Sequence, residues 1–505
     1  MNAVSLVLLL VELVCLASGS QTPLTLSLDN GADNWDKEPD ADATGNRIFN
    51  SASELLQLWP GTVVVQGHSL APCIIPAGHI FYHGRGNKYM PNEPEWLAFD
   101  FEHSYFFAWG RDPHVLTLAA KRPLRILNFD GLSAHLSGET QTIIMYGEVR
   151  QGHIPTHEIS NRLCTWAAQH GIDGFIRMEE HFELIECDFA SSFELLESLR
   201  IIPQDERTKD ERRIPGERVK RPDGWIGSLP TNSQKEVDVA GKWHDRAPGE
   251  TRVRVQYDKF VSFYDPAVTS LVESRRGKPR EQQNLTTLSR ADAQMKLAEL
   301  EAALARPWDA GSGVDWASVL HVVVERYGER LELLAHTLNS TTRSSYEIAY
   351  KARQQVLMML TPHFTIEDTP GSGVGSNKAW LAPVVQRCAS MQTRGLPPNG
   401  LLSPQEVLLR GAVEDVMNEI CRRLARMFAL AYDIEEESEK INASSVASAM
   451  LAEVTDLMTW LDWTQVWVKC KPACTIEELC LIPGHTPFGG GGDRRNPKCV
   501  RKPNA

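Results

Sequence analysis

Apolar residues recur at three- and four-residue spacing through most of the second half of the chain. Stretches 314–338, 346–359, 404–431 and 444–463 each carry such a stripe, and 291–305 is rich in strong helix formers. Ser403-Pro-Gln-Glu406 has the form of a capping box with proline at the first helical position. Pro362, Gly371, Gly373 and the run 395–400 separate these helices. The first half has a different rhythm. Short strand-like runs at 62–66, 79–83, 96–99, 124–129, 142–146 and 182–187 alternate with helical stretches. A helix over 157–170 carries Ile159, Leu163, Trp166 and Ala167 on one face, and Gly171 stops it. The pattern predicts an α+β chain. A mixed β/α domain over 55–200 is followed by a linker and extension (201–287), with a strand within 252–257, and by a helical domain (288–466). A polar leader (20–54), poorly ordered to about residue 50, precedes them, and a cysteine-rich tail (467–505) closes the chain.

Composition places the chain in a compartment. Residues 4–16 are apolar except for Ser5 and Glu12, and Ala17-Ser18-Gly19 follows, so residues 1–19 read as a secretory signal peptide. No other stretch is long and apolar enough to span a bilayer, so the mature chain is expected to lack a transmembrane segment. The chain has ten cysteines. Cys470, Cys474, Cys480 and Cys499 sit in a tail too poor in apolar residues to order itself, and disulfides are the expected cross-links there. Cys73, Cys164, Cys187, Cys388 and Cys421 are left for other pairs, and at least one thiol of the mature chain must be free or pair between chains. Sequons at Asn284, Asn339 and Asn442 fit the same route. Secretion, or residence in the secretory lumen, is the expectation. The formal net charge of −13 argues against a nucleic-acid partner, which requires a positive field.

Three segments carry candidate chemistry. Ile75-Pro-Ala-Gly-His-Ile-Phe-Tyr-His83-Gly84 gives a turn, a strand and then a histidine beside a glycine that leaves room for close approach. Glu95-Trp96-Leu-Ala-Phe99 reads as a strand running into a helix that begins near Glu102. Gly171-Ile-Asp-Gly174 leads into an acidic strand through Glu183 and Glu186. Their three-residue spacing points those two carboxylates to opposite faces. A carboxylate facing a cleft would bond a ribose hydroxyl and stabilise positive charge as a nicotinamide bond breaks.

In order and residue type these segments resemble the NAD-holding strands of the ADP-ribosyltransferase superfamily with a His–Tyr–Glu arrangement. The likeness covers about 135 residues and makes the 55–200 domain ADP-ribosyltransferase-like. It implies that His83 orients NAD with Gly84 beside it, that Trp96 packs on the nicotinamide and that Glu183 engages the ribose. Trp96 stands where that family has tyrosine, so Phe99 is a second candidate for the aromatic role, and Glu186 competes with Glu183. NAD would be the substrate and the acceptor is unknown. The whole chain also resembles secreted fungal proteins that share the Tyr-His-Gly and Trp-Leu-Ala-Phe segments, a likeness that carries no activity. Two further readings stand beside the NAD-consuming enzyme: a non-catalytic secreted interaction protein with a degenerate domain of this kind, and an enzyme acting on a carbohydrate or secreted metabolite. A Gly-x-Ser-x-Gly elbow and a His-Glu-x-x-His pair are both absent from the sequence. Gly371 to Lys378 lacks the ending of a phosphate loop, and Glu179-Glu-His181 has no identifiable ligand partners, so no metal is expected.

Overall fold

The computed structural model describes residues 35–108, 110, 112–132, 138–152, 154–179, 181–201, 237, 239–368, 379–436, 442–482 and 493–502. The expected signal peptide, most of the charged linker, the 371–378 loop and the glycine run 489–492 lie outside them. The central element is a ten-stranded sheet. Its strands are β1 (Gln66–Ile75), β2 (Ile80–Arg85), β3 (Glu95–Ala98), β4 (His114–Ala120), β5 (Leu124–Gly131), β6 (Gly174–Met178), β7 (Phe182–Glu186), β8 (Phe193–Arg200), β9 (Arg254–Val255) and β10 (Val261–Ser262). The spatial order is β10-β1-β5-β6-β7-β3-β2-β4-β8, with β9 also pairing β1. All pairs are antiparallel except β5–β6, whose parallel join requires a crossover.

The helices used below are α1 (Gly45–Ser53), α2 (Phe101–Phe107), α3 (Glu139–Tyr146), α4 (Thr156–His170), α5 (Arg290–Ala305), α6 (Trp316–Leu338), α7 (Ser345–Leu360), α8 (Ala382–Ala389), α9 (Pro404–Leu430) and α10 (Ala443–Leu461). The β5–β6 crossover runs through α3 and α4. Alternation along the strands sends side chains to two cores. One face (Leu127, Phe129, Phe175, Ile185) packs on Ile143 and Ile144 of α3, Leu163 and Ala167 of α4, and Leu300 of α5. The other (Ile126, Ile176, Leu184, Leu97) belongs to a core continuous with α1 and α6–α10. The molecule is therefore mixed α/β, with a large mixed sheet and a helical C-terminal region that share one core.

Three local expectations change. Residues 142–146, read as a strand from Thr142-Ile-Ile, lie within α3. Gly138 and Gly147 bracket that helix in left-handed conformation, and its apolar residues are buried under the crossover. Of residues 62–66, also read as a strand, Thr62 and Val63 end a short helix (Leu58–Val63), Val64 and Val65 link it to the sheet, and β1 begins only at Gln66. The end of the polar leader is an ordered helix, α1. Ile48, Phe49 and Ala52 anchor it in the large core, and Asn46 and Asn50 donate to the carbonyls of Trp460 and Leu461 at the end of α10. The 201–287 extension also contributes strands β9 and β10, which complete the edge of the sheet beside β1.

Four disulfides are formed: Cys164–Cys187, Cys388–Cys421, Cys470–Cys480 and Cys474–Cys499. The last two join the four tail cysteines around a small hairpin, β11 (Glu478–Leu481) with β12 (Lys498–Arg501). Cys73 is the free cysteine among the described residues. It is buried, and burial pushes its thiol far above the ordinary range. Among the described residues no helix is long and apolar enough to cross a membrane.

Candidate functional site

The three segments singled out in the sequence become adjacent strands in the order β7-β3-β2. Register then decides which side chains meet. Ala98 pairs with both Tyr82 and Glu183, so Tyr82, Ala98, Trp96 and Glu183 share one face of the sheet. His83, Glu95, Phe99 and Glu186 share the other. The structure brings Trp96 and Glu183 together and places His83 on the opposite surface.

Each of these groups already has internal partners. His83 Nδ1 lies 2.6 Å from the Trp96 carbonyl oxygen and Nε2 lies 2.8 Å from Glu95. The guanidinium of Arg177 stacks over Trp96 at 3.5 Å from the ring centroid. The same Arg177 donates to Glu183 at 2.9 Å. Phe99 is fully buried in the large core, edge-on to Phe81. Burial pushes the Glu183 carboxyl up, but Arg177 and His103 more than offset this and hold it below its ordinary value. Gly84 makes room for protein: a Cβ there would lie 2.0 Å from the Ser104 carbonyl oxygen, so the missing side chain is what lets α2 sit on β2. Gly84→Ala is accordingly expected to cost about 1–3 kcal/mol of stability by overpacking. Urea unfolding with no ligand present would measure it. An unchanged midpoint would refute this packing role for Gly84.

A buried polar cluster surrounds Glu183. His103 on α2 lies 3.5 Å from it through Nε2. The His103 ring is 5.7 Å from that of His181 in the β6–β7 turn, and His181 is 5.2 Å from His244, which ends the short turn Gly241–His244. All three histidines are at most 1% exposed. Asp100, at the N-cap position of α2, lies 3.4 Å from His181 Nδ1 and 3.2 Å from His244 Nε2. Burial alone would raise the Asp100 carboxyl, yet the two imidazoles hold it well below the carboxylate range. Burial likewise depresses His181 to about 4. Asp100, His181 and His244 form one group with metal-ligand spacing, and His103, Glu179 and Glu183 form a second. The motif Glu179-Glu-His181 was visible in the sequence; Asp100, His103 and His244 were not. Asp100 and His103 do lie three residues apart at a helix start, a spacing that places both in one turn.

A cleft of about 590 Å³ lies elsewhere, between the 250–258 segment and the start of α6. Tyr257, Asp258, Trp308, Asp309, Asp315 and Glu406 are among its lining residues.

Residues 27–113 and 110–227 match a family described as the YPL277C N-terminal domain. Over 94% of its length the chain is 25% identical to the uncharacterized protein YOR389W of Saccharomyces cerevisiae, of which 88% is covered. It is 26% identical to the uncharacterized protein YPL277C of the same yeast, covering 68% of this chain and 85% of that one. No solved structure matches. These likenesses assign no reaction.

Proposed function

We propose that the chain is an exported, disulfide-stabilised protein that binds a neutral polyhydroxylated ligand, a carbohydrate or sugar-derived metabolite, in the cleft beside Trp308. The observation that carries this reading is the lining of that cleft. Half-buried Trp308, with Arg125 and Lys259 beside its ring, offers an aromatic edge, and exposed Asp309 offers acceptors for hydroxyl groups. Glu406 already accepts from Ser312, Trp316 and Ser403, Asp315 accepts from Ser318, and Asp258 pairs with Lys259. The same acidic lining repels a dinucleotide diphosphate. Export is supported by the four disulfides and by the sequons: Asn339 and Asn442 are exposed and Asn284 is half-buried. Titration with neutral mono- and oligosaccharides, followed by tryptophan fluorescence, tests the proposal. Trp308→Ala is expected to weaken binding about tenfold, equivalent to about 1.4 kcal/mol. A broad panel without a binder would overturn it.

A second reading, the NAD-consuming ADP-ribosyltransferase or glycohydrolase, is favoured by one observation: the three segments that resemble that family are neighbours in one sheet, with Trp96 and Glu183 on the same face. Against it stand the opposite orientation of His83 and the internal partners of all three side chains. Nicotinamide release from NAD that is lost in Glu183→Gln would decide for this reading. No release above the uncatalysed rate is the expected result.

A further inference from the structure

We propose that Asp100, His181 and His244 form a binding site for one divalent first-row transition ion, of the zinc type. The donors converge from three separate stretches: the start of α2, the β6–β7 turn and the 241–244 turn. Asp100 Oδ2 is 3.4 Å from His181 Nδ1 and 3.2 Å from His244 Nε2, and the three donor atoms lie within 4.8 Å of one another. Bonds of about 2.0–2.1 Å to a tetrahedral zinc ion set neighbouring donors about 3.3–3.4 Å apart. The two Asp100 separations match that edge. The His244 contact also serves as a hydrogen bond, and the ion would take the place of its proton.

The surroundings support the same centre. The second carboxylate oxygen of Asp100 faces Arg252 at 3.4 Å, a partner that fixes which oxygen points at the histidines. Gly241 lets its turn press on His181, since a Cβ there would lie 2.0 Å from the imidazole ring. Beside the site stands His103, fully buried, with no hydrogen bond to either ring nitrogen. Its nearest charged partner is the Glu183 carboxylate, 3.5 Å from Nε2. His103, Glu179 and Glu183 would make a rival site, but Arg177 already supplies their cation, 2.9 Å from Glu183 and 3.6 Å from Glu179. Two imidazoles and one carboxylate disfavour calcium and magnesium, which take oxygen donors. Three protein ligands leave one tetrahedral position for water.

The full chain, with its disulfides intact, would be stripped with a chelator and titrated with cobalt(II). The expected result is one cobalt per chain, a visible band of four-coordinate cobalt, its displacement by zinc, and a higher thermal midpoint with zinc. His244→Ala should bind at least about tenfold more weakly. His336→Ala, an exposed position on α6, should bind as the unaltered chain does. Folded wild-type protein that takes up neither ion stoichiometrically would overturn the proposal. So would a folded His244→Ala that keeps the same band and affinity. Should His244→Ala fail to fold, the wild-type cobalt titration decides alone.

Discussion

Replacing Arg280 with methionine is expected to cost about 3–5 kcal/mol of stability, the range for removing one partner of a buried ion pair. Arg280 is 2% exposed and holds Glu54 through two bonds of 2.7 and 3.0 Å. Its Nε donates to Asp462 at 3.1 Å. Thr464 donates to the same Glu54 carboxylate at 3.0 Å. These contacts join the residue after α1, the 280 segment and the residue after α10, three places far apart in sequence. Asp462 keeps Arg47 at 3.5 Å and Arg495 at 2.9 Å, whereas among these groups Glu54 has no other cation. Most of the loss should therefore come from Glu54, stranded in a site whose burial already raises its carboxyl. Glu54→Gln in the Arg280→Met background should recover much of the loss, and urea midpoints of the two single variants and the double variant measure the coupling. A single variant within about 1 kcal/mol of wild type, or additive effects, would refute this account.

That clamp also marks where sequence patterns stop informing. The long helices of the second half were readable because each buries one stripe over many turns, and Ser403 and Glu406 form the capping box that the sequence spells out. Gly171 caps α4 in left-handed conformation, as its position foretold. α3 was not readable. Its Thr-Ile-Ile run favours a strand locally, and only the parallel β5–β6 pair, a non-local fact, demands a helical crossover there. The arrangement of the candidate site was hidden for a related reason. The opposite facing of Glu183 and Glu186 follows from spacing within one strand. Whether His83 joins Glu183 depends on the register between β2 and β3, and a shift of one residue would reverse it. No spacing in a single sequence encodes that register. The histidine–carboxylate cluster was hidden in the same way: Asp100 and His244 meet across 144 residues, on two turns with no shared periodicity.

Glu186→Gln is expected to stabilise the protein near pH 8, on the order of 4 kcal/mol if the full shift is expressed. Glu186 is fully buried on the His83 face of β7, where one of its carboxylate oxygens accepts from the Asp188 amide at 3.0 Å. Burial is the largest influence and pushes its carboxyl up to about 8. The unfolded chain releases this proton near its ordinary value of 4.5, while the folded chain keeps it until about 8. Stability from this group is therefore fully present below about pH 4.5 and falls as pH rises to about 8, because the unfolded state then binds fewer protons. Glutamine preserves the acceptor and removes the titration, so its advantage should be small at pH 4.5 and grow steadily to pH 8. Urea midpoints of the two proteins across that interval give the difference directly. A difference that stays constant with pH would mean that Glu186 is ionised in the folded chain and that a cation or solvent reaches the end of β7.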